Sequence, residues 1–258
     1  MRELLEAVAA GETTPAEAEA ELVGYASSEG GRFDAARETR AGVPEAILAD
    51  GKTPTEIADL ATTAVETTGR AIATRLPADQ VGAISQHLND AYADVTVNYD
   101  ERSRMLVAKT PEFEEPSLDA TVGVVTAGTS DAVPAGEAAI IAREMGATVE
   151  RVDDVGVAGI ARLLDRLEEL RDHDVLIVAA GREGALPTVV AGLVDTPVIG
   201  LPVSTGYGHG GDGEAALSGM LQSCTALSVV NVDAGFTAGA QAALIARAVD
   251  AATTAETA

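Results

Sequence analysis

The chain has 258 residues, 47% hydrophobic but only 3% aromatic and without Trp, so its core must be built from Val, Leu, Ile and Ala. That composition suits buried parallel strands. Forty-one acidic residues against 17 basic ones give a formal charge of −24, and Lys52 and Lys109 are the only lysines; with no basic patch to displace phosphate counterions, nucleic acid is not an expected partner.

Residues 1–24 read as two short helices, the second restarted by Thr14-Pro15 with Glu17 three residues on, a capping pattern with Pro at the first helical position. Residues 25–50 read as irregular and hold Arg32, Arg37 and Arg40. Thr53-Pro54-Thr55-Glu56 opens a helix to about Thr68 by the same pattern. Strands are expected near 71–74, 95–97 and 105–107, with a helix over 77–88. Residues 1–110 are thus expected to form a small α+β domain, and the prolines and acids of PEFEEP make 111–118 the linker.

From Thr121 the pattern becomes regular. Apolar strands are expected at 121–126, 148–152, 175–179, 197–201 and 227–231. Helices are expected at 134–145, 159–170, 186–193, 214–222 and 238–250. Five βα units at this spacing predict a parallel, doubly wound α/β domain over 119–252, with 253–258 a frayed tail. The acidic, Lys-poor surface marks a salt-adapted, halophilic protein, a statement about solvent rather than fold. A single cysteine allows no internal disulfide and predicts a reducing compartment. No signal-peptide core and no run of the ~18 apolar residues a membrane span needs is present, so a cytoplasmic chain without a membrane partner is expected.

Ligands of such sheets bind outside the carboxyl ends of the strands. Those ends are Gly128-Thr129-Ser130-Asp131, Gly181-Arg182-Glu183-Gly184, the turn Ser204–Glu214, and Asn231-Val232-Asp233. The first could hold a phosphate or a ribose, with Asp131 on ribose hydroxyls, or could simply cap the next helix. The turn 204–214 has five glycines; it lacks the Walker ending and reads as close backbone approach to a ligand or as a surface loop. His209 in that turn reads as an acid–base group or an exposed loop histidine. Three scattered histidines and one cysteine give no metal-ligand spacing, so no metal site is expected. Cys224, ten residues beyond the turn, is either a small buried hydrophobe or a nucleophile activated by its surroundings. Glu183 either reaches it across the sheet top or caps the following helix.

GTSD (128–131), GREGALPTVVAGLVDTPVIGLPVSTGYG (181–208), LQSC (221–224) and NVDAGF (231–236), with Arg40, Gly42-Val43-Pro44-Glu45 and Gly51-Lys52-Thr53, resemble the LarB family of nickel-pincer nucleotide biosynthesis. The second half is similar, more distantly, to the purine-pathway AIR carboxylases and mutases, whose fold is flavodoxin-like. The catalytic histidine of those enzymes falls on Ala185 here, which favours LarB. After Asp131 the chain reads Ala-Val-Pro-Ala-Gly-Glu, a departure from the family order at the start of that helix.

The resemblance implies that nicotinic acid adenine dinucleotide (NaAD) is carboxylated by CO2 or bicarbonate and its phosphoanhydride hydrolysed. The products are pyridinium-3,5-biscarboxylic acid mononucleotide and AMP. It implies Cys224 as the nucleophile forming a transient cysteinyl-pyridine adduct and Glu183 as the base. Gly128, Thr129, Ser130, Asp131, Gly181, Gly184, Ser204, Gly206, Tyr207, Gly208, Asn231 and Asp233 would contact substrate, with Arg40, Lys52 and His209 as weaker candidates. Neither biotin nor ATP is implied; Mg2+ could assist hydrolysis, and a homo-oligomer, up to an octamer, is expected. The rivals are a purine-pathway carboxylase or mutase and a non-catalytic nucleotide-binding protein in which Cys224 is core packing.

Overall fold

The computed structural model describes residues 2–206 and 208–257, which divide into two compact units, Met1–Glu114 and Glu115–Ala258. In the first unit, α1 (Arg2–Ala10) precedes α2 (Pro15–Val23). The Thr14 hydroxyl accepts the Glu17 N–H, and the Glu17 carboxylate accepts the Thr14 N–H in return. The stretch expected to be irregular is ordered: β1 (Ala26–Ser28) and β2 (Gly31–Phe33) form an antiparallel hairpin, followed by α3 (Arg37–Ala41) and β3 (Ile47–Leu48). Strands this short carry too little alternation to be read from sequence.

Helix α4 (Pro54–Thr68) starts on a second capping box, Thr53 with Glu56. It buries Ile57, Leu60, Ala61, Ala64 and Val65, an i, i+3, i+4, i+7, i+8 stripe. Then come β4 (Arg70–Thr74), α5 (Ala78–Ala91), β5 (Thr96–Asp100) and β6 (Met105–Lys109). The sheet order is β3-β4-β6-β5, with β3 and β4 parallel and the other pairs antiparallel.

The second unit runs β7 (Thr121–Thr126), α6 (Ala132–Glu144), β8 (Thr148–Val152), α7 (Ile160–Leu164), α8 (Leu167–Arg171), β9 (Val175–Ala180), α9 (Ala185–Ala191), β10 (Val198–Pro202), α10 (Glu214–Leu221), β11 (Leu227–Val229) and α11 (Gly235–Thr257). All five strands are parallel, in the order β11-β10-β9-β7-β8, the doubly wound order of flavodoxin-like folds. Strands β9 and β10 are buried along their whole length, whereas the edge strand β8 alternates, which is why the central strands read as continuous apolar runs. Leu176, Val178 and Ala180 share a core with Leu163, Leu170, Leu186, Val190, Ala216 and Met220 of α7–α10. The alternate residues of the strands point to the opposite face, where α6 and α11 pack. Those helices touch backbone to side: a Cβ on Gly239 would lie 2.3 Å from the Ala138 carbonyl oxygen.

Two expected boundaries move. The helix expected over 159–170 breaks at Asp165–Arg166 into α7 and α8. The tail expected to fray from 253 is helical through Thr257, because AATTAET contains neither Gly nor Pro to stop α11. Among the described residues no helix is long and apolar enough to cross a membrane.

Candidate active site

The exits of β7, β8, β9 and β10 in the second unit enclose a cavity of about 500 Å3. At the β7 exit, Thr129–Asp131 make one 3-10 turn into α6. Asp131 is 2% exposed; its Oδ2 accepts the Gly128 N–H at 2.9 Å, and its Oδ1 accepts the Ser130 hydroxyl at 3.4 Å. Burial raises the Asp131 pKa, and the hydrogen bonds from Gly128, Ser130 and Ala127 partly offset it. The carboxylate therefore ties the turn together while lining the cavity. It faces Gly181, where a Cβ would meet Asp131 Oδ1 at 3.4 Å.

The β9 exit is shaped by what glycine permits. Gly184 has φ +67°, and a Cβ there would lie 2.4 Å from the Ala216 carbonyl oxygen. Only glycine adopts that conformation in that space without strain. A Cβ on Gly219 in α10 would come as close, 2.3 Å, to the Glu183 carbonyl oxygen. Arg182 and Glu183 are thus carried on a turn clamped by α10, both exposed to the cavity.

At the β10 exit, the Ser204 N–H donates to Asp233 Oδ1 and the Asp233 N–H donates to the Pro202 carbonyl, each at 2.9 Å. Asp233, with φ +55°, therefore stitches the ends of β10 and β11 together. Asn231 uses its Oδ1 on the Val232 N–H. The Thr205 hydroxyl donates to the Ser130 carbonyl at 3.2 Å, tying two exits. A smaller recess of about 210 Å3 adjoins Arg182 and Glu183 and is lined by Gly206 and His209.

Of the residues singled out in the sequence, Gly128, Ser130, Asp131, Gly181, Glu183 and Gly184 line the main cavity, and Gly206 and His209 the recess. Thr129 stands exposed in the first turn; Ser204, Asn231 and Asp233 do not line the cavity, Asp233 accepting the Ser204 N–H and Asn231 the Val232 N–H. Gly208 is exposed with φ +87°, and Tyr207 lies outside the described residues. Arg40 and Lys52 belong to the first unit. Arg40 pairs with Asp34 through two hydrogen bonds of 3.2 and 2.6 Å, and Lys52 Nζ donates to the Leu48 carbonyl.

Cys224 requires a correction. It is exposed, so it is not a buried core hydrophobe. Nor does it meet Glu183 across the sheet top. It follows α10, which returns to the amino end of the sheet, and it precedes Leu227, whose partner is Val198 at the start of β10. Its neighbour Thr225 lies by Gly192, past the far end of α9. Parallel βα units carry alternate loops to opposite ends of a sheet, and ten residues of sequence separation conceal that reversal.

The polar side chains of the cavity to which sequence reasoning assigns no role are Arg162 in α7, Arg182 and Thr205. The scarcity of bases in so acidic a chain is the signal that could have drawn attention to both arginines. Among the described residues no three His, Cys, Asp or Glu side chains cluster to hold a metal ion. Magnesium here would need substrate phosphates together with one or two carboxylates.

Comparison with known proteins places both units in known families. Residues 25–110 match the family described as LarB/PurE-like N-terminal domain, and residues 121–258 match AIR carboxylase. An uncharacterized protein of Methanocaldococcus jannaschii is 39% identical over 222 residues, covering 84% of each chain.

Proposed function

This chain belongs to the LarB family, with an AIR carboxylase domain as its second unit, and we propose that it converts NaAD, CO2 and water to pyridinium-3,5-biscarboxylic acid mononucleotide and AMP. A carboxylase-type role follows from the family; the substrate and the mechanism are our reading. The observation that carries it is the cavity wall Arg182–Ala185. It presents a carboxylate and a guanidinium where a purine-pathway enzyme would present a histidine, and Ala185 has no acid–base chemistry to offer.

A pyridinium ring is electron-poor, so C5 cannot attack CO2 unaided. Addition of the Cys224 thiolate to the adjacent ring carbon sends an electron pair to the ring nitrogen and leaves C5 enamine-like. C5 then bonds to the carbon of CO2, Glu183 removes the C5 proton, and the C–S bond breaks with its electrons returning to sulfur. The ring is aromatic again and carries one more carboxylate. Water attacks the phosphoanhydride separately and releases AMP, with Arg182 beside the developing charge.

Cys224 sits at the amino end of its own sheet, so this chemistry needs a second copy to present its α10–β11 corner to the cavity. Leu221, three residues before Cys224 and 63% exposed, leaves the end of α10 partly apolar and open to such a neighbour. We therefore propose a homo-oligomer in which each site is completed in trans.

Mass spectrometry after incubation with NaAD and bicarbonate tests the function. AMP plus a pyridine mononucleotide heavier by one carboxyl group is expected from the wild type and not from Cys224→Ser. Full product from Cys224→Ser would overturn the covalent step. No product from NaAD, with turnover of aminoimidazole ribonucleotide instead, would favour the purine-pathway reading that the AIR carboxylase match also admits. Tight nucleotide binding without any turnover would favour a binding protein.

A further inference from the structure

Arg162 lines the cavity on a wall of its own, the segment 153–162 that leaves β8. That segment is fastened to the end of β7. The N–H groups of Val155 and Gly156 donate to the carbonyls of Thr126 and Ala127, each at 3.1 Å, and the buried Thr126 hydroxyl donates to Asp153 at 2.9 Å. Gly156 lies so near that a Cβ would stand 2.8 Å from the Ala127 carbonyl oxygen.

Within this wall Asp154 has φ +61°, a left-handed conformation that costs most residues with a Cβ more than it costs Asp or Asn. Its Oδ2 meets Arg162 Nη1 at 2.6 Å, with the two side chains 64% and 48% exposed. An ion pair so exposed contributes little to stability, so stability alone does not explain a left-handed backbone that aims a carboxylate at Arg162. The second fact is position. In a chain with 17 bases, Arg162 and Arg182 line one cavity from two different walls.

We propose that Arg162 binds a phosphate of the ligand and that Asp154 is its displaceable counter-ion. Asp154 holds the guanidinium at the rim until an acceptor with two oxygens and more charge takes it over, the geometry guanidinium prefers. A neutral ligand cannot make that exchange, so the pair selects for charge. This deepens the reading of the cavity as a nucleotide site and rests on it, yet pyrophosphate alone can test it.

The experiment is calorimetric titration of inorganic pyrophosphate, NaAD and adenosine into the wild type, Arg162→Gln, Arg162→Lys and Asp154→Asn. Asn tolerates the left-handed conformation, so the last variant removes charge and leaves the backbone in place. Loss of a charged hydrogen-bond donor should weaken pyrophosphate binding by roughly tenfold or more in Arg162→Gln. Arg162→Lys should recover part of that loss, Asp154→Asn should bind more tightly than the wild type, and adenosine should bind all four alike. Unchanged pyrophosphate affinity in Arg162→Gln, weaker binding in Asp154→Asn, or an equal loss for adenosine would overturn the proposal, as would a wild type that does not bind pyrophosphate. If pyrophosphate behaves as expected while NaAD is neither bound nor turned over, the NaAD reading fails and the role of Arg162 stands.

Discussion

Glu183 stands at the carboxyl end of the parallel sheet and Cys224 at its amino end, separated within one chain by the length of α10. On the mechanism proposed above, a base and a nucleophile so placed must act from different subunits. Cys224 is also exposed, so its exchange for Ser should shift stability by no more than about 0.5 kcal/mol. An unchanged melting temperature with lost turnover is expected; a substantial loss of stability would point to a packing role.

Gly219→Ala tests the clamp on the turn that carries Arg182 and Glu183. Alanine improves helix propensity by about 1 kcal/mol, yet its Cβ would lie 2.3 Å from the Glu183 carbonyl oxygen. The contact is backbone, so relief must come from moving the turn, at about 1–3 kcal/mol. A net fall in melting temperature and slower turnover are expected. An increase in stability would show that the turn yields freely.

Asp131 makes stability depend on pH in a stated direction. Burial holds its pKa above the usual 3.8, so the native state binds this proton more tightly than the unfolded chain does. The contribution is complete below the unfolded value near 3.8 and is lost as pH rises through the raised native value. Asp131→Asn does not titrate, so its melting temperature should gain on the wild type as pH rises through that window. Parallel melting curves would count against the burial argument.

Thr53→Ala removes half of a capping box whose Thr53 Oγ1 accepts the Glu56 N–H at 3.3 Å. A loss of about 1 kcal/mol is expected in denaturant unfolding of the first unit. Thr55→Ala in the same turn is the control, since no cap bond depends on it.

What could be read from the sequence followed from local rules. Pro15 and Pro54 behind threonines, each with a glutamate two residues further on, mark the starts of α2 and α4 because capping is settled within one turn. Val175–Ala180 reads as a buried strand because it is apolar on both faces. The cavity glycines are legible for the same reason, each answering to one turn. Cys224 and Arg162 are not, because their meaning depends on which end of the sheet a loop reaches and which wall an α7 residue faces. The brace that Asp233 provides to Ser204 is not legible either, since the two residues are 29 positions apart.

The most direct test of a site shared between copies is complementation. Glu183→Gln and Cys224→Ser, each expected to be inactive alone, would be dissociated, mixed in equal amounts and reassembled. Random pairing leaves about a quarter of trans sites with both native residues, so turnover of NaAD should return to about that fraction of wild type. If Glu183 and Cys224 acted within one chain, no mixed assembly would contain an intact site. Activity no higher than that of the separate variants would contradict the shared site.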